Sequence, residues 1–127
     1  MKKPTVIVVD DDSIVARYIT FGLSRKGYAV HHFDNGIDGL NAIRNLNPDL
    51  VIMDMMMPGL DGREVVEMVV ENNIFPTNRI IILSGKESVS DKKALFDHGV
   101  HDYLLKPFQM DDLLLRIERA LEDNEDG

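Results

Sequence analysis

Three short, uninterrupted apolar runs, spaced apart by amphipathic stretches, constrain the fold of this chain more than any other feature. Residues 5–10 (Thr5-Val6-Ile7-Val8-Val9-Asp10), 50–54 (Leu50-Val51-Ile52-Met53-Asp54) and 80–84 (Ile80-Ile81-Ile82-Leu83-Ser84) show no in–out alternation. Strands with that pattern are covered on both faces, the condition of a parallel sheet sandwiched between helices. Tyr28-Ala29-Val30-His31-His32-Phe33 is mixed and suits an edge strand, and His101-Asp102-Tyr103-Leu104-Leu105 reads as a fifth.

Helical spacing fills the gaps. Val15, Tyr18, Ile19 and Gly22 share a face of the first helix, which stops near Gly27. Ile37, Leu40 and Ile43 mark a second after Asn35-Gly36, and Asp61 is placed to cap a third carrying Val65, Val66 and Val69. Ser88 or Ser90 caps a fourth, whose apolar face is the thinnest and which ends at Gly99. Leu113, Leu114, Ile117, Ala120 and Leu121 define the fifth. Strands alternating with helices at this rhythm make an α/β fold of five βα units. No repeat or composition shift divides the chain, so residues 1–121 are expected to be one domain, followed by a solvated acidic tail at 122–127.

Composition narrows the functional classes. A chain of 127 residues that is 44% hydrophobic and 28% charged can bury a core unaided. No apolar stretch approaches the ~18–20 residues of a membrane span. Met1-Lys2-Lys3-Pro4 leads straight into a strand without a signal-peptide core, and there is no cysteine, which together point to the cytoplasm. A net charge of −8 argues against this domain gripping nucleic acid itself, although a DNA-binding partner or output domain is compatible with it.

The chemistry gathers where apolar strands end. Asp10, Asp11 and Asp12 close the first run and Asp54 closes the third strand in sequence. Carboxylates crowded at one rim repel unless a cation holds them. An oxygen-only donor set, without cysteine or an adjacent histidine, suits Mg²⁺ better than zinc, and Mg²⁺ brings phosphate chemistry with it. Asp12 and Ser13 are better read as capping the next helix. His31, His32, His98 and His101 show no metal spacing and are assigned no chemistry.

With Val9-Asp10-Asp11, Asp54, the loop Met57-Pro58-Gly59-Leu60-Asp61-Gly62, Ser84 and Lys106-Pro107-Phe108 in this order, each group following a strand, the chain resembles the receiver (phosphoacceptor) domain of bacterial two-component response regulators, of the CheY-like kind, over nearly its whole length. The resemblance implies a doubly wound, flavodoxin-like (βα)₅ fold with strand order 2-1-3-4-5 and a site at the carboxyl ends of the strands. It implies that Asp54 takes a phosphoryl group from a histidine kinase or phosphotransfer protein. Asp10, Asp11, Asp54 and the Met56 carbonyl would hold Mg²⁺, with Lys106 and Ser84 contacting the transferring group. Tyr103 would turn inward behind Ser84, repacking a face made by helix four, strand five and helix five that a partner or output domain reads. The bond before Pro107 is commonly cis in the family. Such a domain is no enzyme in the ordinary sense, and it works as a monomer or as a phosphorylation-promoted dimer.

Departures from the commonest pattern bear on rates. Serine stands at position 84 where threonine is more usual, and Met56 replaces a polar residue, which should hinder the water that hydrolyses the acyl phosphate. Gly85 leaves the site open to donors, and Lys86 puts a cation where an acid or another polar group is frequent. Two other functions fit parts of the pattern. A receiver-like module could serve only for docking, without phosphorylation. A haloacid-dehalogenase-type phosphatase would use Asp10 as nucleophile and Asp12 as general acid, but it leaves Asp54 unexplained and lacks its further acidic pair.

Overall fold

The structure is a computed structural model that describes residues 3–86 and 88–125; of Asn124 and Glu125 only the backbone is described. Elements follow in strict alternation: β1 (Thr5–Val9), α1 (Ser13–Arg25), β2 (Ala29–Phe33), α2 (Gly36–Leu46), β3 (Leu50–Asp54), α3 (Gly62–Glu71), a 3₁₀ turn (Thr77–Arg79), β4 (Ile80–Ser84), α4 (Val89–Asp97), β5 (Asp102–Leu105) and α5 (Met110–Glu125). The five strands form one parallel sheet in the order β2-β1-β3-β4-β5. The fold is the flavodoxin-like (βα)₅ arrangement that the strand pattern and the resemblance imply.

The apolar runs lack alternation because each residue faces one of two cores. Ile7, Val9, Val51, Met53, Ile80 and Ile82 pack with Leu40, Ile43, Val65, Val66, Val69 and Leu95 of α2, α3 and α4. Their neighbours Val6, Val8, Leu50, Ile52, Ile81 and Leu83 pack with Ile19 and Leu23 of α1 and with Leu113 and Ile117 of α5. Burying a valine, leucine or isoleucine side chain contributes about 1.5–3 kcal/mol, so these two layers dominate the folding free energy.

Local signals start the helices where expected. Asp12 caps α1, accepting from the Ile14 and Val15 amides. Asn35 caps α2, and Ser88 rather than Ser90 caps α4. Asp61 and Glu64 form a reciprocal capping box on α3. One detail differs: α1 buries Ala16, Ile19 and Leu23, whereas Tyr18 is 47% exposed. Its ring instead lies 5.9 Å from that of Phe108 in the β5–α5 loop. Val15 packs partly buried against the same core and Gly22 abuts Met110 of α5, so of the face its spacing suggests only Tyr18 turns outward. At the other end of the chain, α5 runs on to Glu125, and the Asp123 carboxylate lies 3.1 Å from Nε2 of His101. Asp126 and Gly127 of the acidic stretch lie outside the described residues.

Candidate functional site

Parallel strands end on the same side of a sheet, so the residues that close β1, β3, β4 and β5 meet at one rim. Asp54 is the last residue of β3, the central strand, and is 4% exposed; Asp10 follows β1 and is fully buried. Asp10, Asp11 and Asp54 each bring a carboxylate oxygen within 4.8 Å of the other two. The start of α3 backs this cluster closely: a Cβ at Gly62 would sit 2.5 Å from the Asp54 carbonyl oxygen, so only glycine fits there.

Lys106, just past β5, closes the arrangement. Its Nζ lies 2.9 Å from Oδ2 of Asp10 and 3.0 Å from Oδ1 of Asp54. Burial disfavours the Lys106 ammonium, but its hydrogen bonds to Asp10 and Asp54 outweigh that and raise its pKa above the ordinary lysine value. The balance at Asp54 goes the other way. Burial, reinforced by Asp10 and Asp11, overcomes the pull of Lys106 and lifts the carboxyl to about 6 from 3.8. One ammonium therefore does not neutralise the rim, and further positive charge is favoured there. Among the described residues the donor set is carboxylate oxygen, which fits a hard divalent cation. The cluster is capable of coordinating such an ion.

The other sequence candidates separate into those at the rim and those behind it. Ser84 ends β4 and is 3% exposed, and its hydroxyl donates to the Lys86 carbonyl at 2.6 Å. Tyr103 is 6% exposed, and its hydroxyl donates to that same carbonyl at 3.3 Å. The two switch candidates thus share one acceptor in the β4–α4 loop. The Lys92 ammonium lies 5.7 Å from the centre of the Tyr103 ring. Met56 projects into solvent at 68% exposure, between buried Met55 and Met57. A Cβ at Gly85 would meet nothing within 4 Å. The Lys86 residue is exposed. The Lys106–Pro107 bond is cis.

The family of the chain is decided by comparison with known proteins. A family model, the response regulator receiver domain, matches residues 6–118. This chain is a response regulator receiver domain. Among curated relatives, the transcriptional regulatory protein YkoG of Bacillus subtilis is 36% identical over 124 residues, covering 98% of this chain and 54% of its own length. The response regulator MprA of a Mycobacterium species is 39% identical over 116 residues, which is 91% of this chain and 50% of that one. The receiver thus spans about half the length of the curated relatives it matches. Among solved structures, the receiver domain of the Francisella response regulator 1452 superposes with a TM-score of 0.87 at 32% identity, covering 96% of this receiver and 99% of that chain. A CheY-like receiver domain protein from Methanospirillum hungatei gives 0.91 at 26% identity, covering 98% of both.

Two contacts of the receiver site went unread in the sequence. The Asp12 amide donates to Oδ1 of Asp10 at 2.9 Å, so Asp12 both caps α1 and helps orient Asp10. Nε2 of His32, on β2, lies 2.8 Å from the Asp10 carbonyl oxygen. A polar pair inside an edge strand was the available signal, but strand neighbours 22 residues apart are invisible to spacing rules.

Proposed function

We propose that Asp54 is the phosphoacceptor of this receiver, taking its phosphoryl group from the phosphohistidine of a sensor histidine kinase or a phosphotransfer protein. The observation that carries this reading is a nearly buried carboxylate at the end of the central strand, held by Lys106 and flanked by Asp10 and Asp11. A carboxylate oxygen of Asp54 attacks phosphorus, the P–O bond of the acyl phosphate forms, and the P–N bond to the donor imidazole breaks. The imidazole leaves with the electron pair of that bond and takes up a proton. Asp10, Asp11, Asp54 and the Met56 carbonyl would hold Mg²⁺, which would supply charge neutralisation for the phosphoryl oxygens.

The protein's own groups do the rest. Lys106, already shared between two carboxylates, offers its ammonium to the new phosphoryl oxygens. Ser84 exchanges the Lys86 carbonyl for one of those oxygens. Losing that bond leaves the Tyr103 hydroxyl on the carbonyl, and through Tyr103 the change at Asp54 is passed to the face of α4, β5 and α5. Open space at Gly85 admits the donor. Exposed Met56 offers no hydrogen bond to a hydrolytic water and should lengthen the acyl-phosphate lifetime, while Lys86 adds positive charge to the loop.

The signal passes to a partner protein or to an output domain. A relative, the DNA-binding response regulator MtrA of Mycolicibacterium paratuberculosis, is matched over 52% of its length. The acidic receiver itself is assigned no nucleic-acid contact, and among the described residues no helix is long and apolar enough to cross a membrane. The proposed setting is the cytoplasm, as a monomer or a phosphorylation-promoted dimer. Intact mass after incubation with acetyl phosphate and Mg²⁺ tests the assignment. Wild type should gain one phosphoryl group and Asp54→Asn none, and chelation should abolish the gain. Equal uptake by both would move the acceptor elsewhere, and no uptake from any donor would leave a docking module.

A further inference from the structure

The metal-facing turn after β1 is held from the side as well as from below. The Asp10 amide donates to the Phe33 carbonyl at 3.0 Å, and the Asp10 carbonyl oxygen lies 2.8 Å from Nε2 of His32. Both partners belong to the end of β2, the edge strand, where His32 is in register with Val8 and Phe33 with Val9. A carbonyl can only accept, so Nε2 of His32 carries the proton and donates. The main chain of Asp10 is therefore gripped at both its N–H and its C=O by adjacent residues of β2.

That grip limits rotation of the peptide between Asp10 and Asp11. The Asp10 side chain is fixed at one oxygen by the Asp12 amide and at the other by Lys106. Asp11 is exposed and shares a peptide bond with the clamped Asp10 carbonyl. Rotation about the Asp10 Cα–C bond would move the Asp11 carboxylate relative to Asp10 and Asp54 and would carry the Asp12 amide off the Asp10 carboxylate that it orients.

We propose that His32 is a positioning residue for the cation site: by donating to the Asp10 carbonyl it sets the peptide plane that aims Asp10 and Asp11 at Asp54. It touches neither the phosphoryl group nor the ion, and acts as outer hydrogen-bond partners of metal ligands do, by reducing the freedom of the residues that bind. The role depends on the Asp10–Asp11–Asp54 reading of the cation site. A donor at the same reach should suffice, so glutamine should replace histidine where valine cannot.

The test is Mg²⁺ titration by calorimetry and amide chemical shifts on wild type, His32→Gln and His32→Val, with thermal midpoints measured in chelator. We expect His32→Val to weaken Mg²⁺ binding about tenfold, the lower end for outer partners of metal sites. His32→Gln should restore most of that affinity, and the chelated midpoints should not follow the order of affinities. Equal Mg²⁺ binding in wild type and His32→Val would overturn the role, as would equal weakening in both variants. A wild type that binds no Mg²⁺ would overturn it together with the cation site. The imidazole ¹⁵N spectrum of wild type needs no variant: a proton on Nε2 is required, and a ring protonated only on Nδ1 refutes the clamp.

Discussion

The helices α3 and α4 both follow a strand that ends at the acidic rim, yet they are held in opposite ways. Along α3, Val65, Val66 and Val69 are fully buried and a capping box fixes the first turn. Along α4 only Leu95 is buried. Polar contacts add to it: the Ser88 cap, an ion pair of Asp91 with Arg63 on α3 at 2.9 Å, and Lys92 over the Tyr103 ring. Contacts of those kinds contribute roughly 0.3–2 kcal/mol each, against about 1.5–3 for each buried valine. The helix that follows Asp54 is thus anchored by apolar packing, while the helix that follows Ser84 is held by one buried leucine and weaker polar contacts, although β4 itself is fully buried. A receiver needs that asymmetry, because an added phosphoryl group can shift an equilibrium only between states a few kcal/mol apart.

The sharpest way to break the comparison is to remove the single pin. Leu95→Ala should destabilise the domain by about 3 kcal/mol in denaturant melts, with amide exchange rising first in α4. An equal loss of protection in α3 would mean that the two helices are not held separately.

The second prediction concerns charge at Asp54, ahead of the anchored helix. Asp54 titrates near 6 in the folded protein and near 3.8 in the unfolded chain. Between those values the folded state holds a proton that the unfolded chain has released, so stability rises as pH falls through 6 and levels off near 4. Above 6 the ionised carboxylate is a penalty. In chelator at pH 7.5, Asp54→Asn should therefore be more stable than wild type, by on the order of 2–3 kcal/mol. The gain should shrink as pH falls and be gone near 4. A variant no more stable than wild type at pH 7.5 would show that Lys106 compensates the cluster in full.

A smaller effect is expected at Met56. Met56→Asn should shorten the lifetime of the acyl phosphate a few-fold, less than about 1.4 kcal/mol of barrier, in a radiolabel decay assay. An unchanged lifetime would remove the side chain from the hydrolytic step. The smallest effect on stability belongs to the bond between the two helices. Both ends of the Arg63–Asp91 pair are substantially exposed, so Arg63→Ala should change global stability by less than about 1 kcal/mol. Amide exchange in α4 should nevertheless quicken while that in α3 does not.

The sequence alone determined the layers and the rim. Runs without alternation at 5–10, 50–54 and 80–84 demand cover on both faces, and a parallel sheet so covered brings its carboxyl ends, with Asp10, Asp54 and Ser84, to one side. Capping residues such as Asp12 and Asp61 were legible because they act on amides two or three positions away. What only the tertiary structure decided depends on contacts across the chain. Lys106 meets Asp10 across 96 positions, and His32 reaches Asp10 because β2 is its neighbour at the edge. Tyr18 turns from the core to the ring of Phe108, far along the chain. The Ser84 hydroxyl rests on the Lys86 carbonyl, a choice of rotamer that residue type leaves open. Periodicity reports which face of an element is apolar, whereas the partner of each polar atom is set by the order and register of strands far apart in sequence.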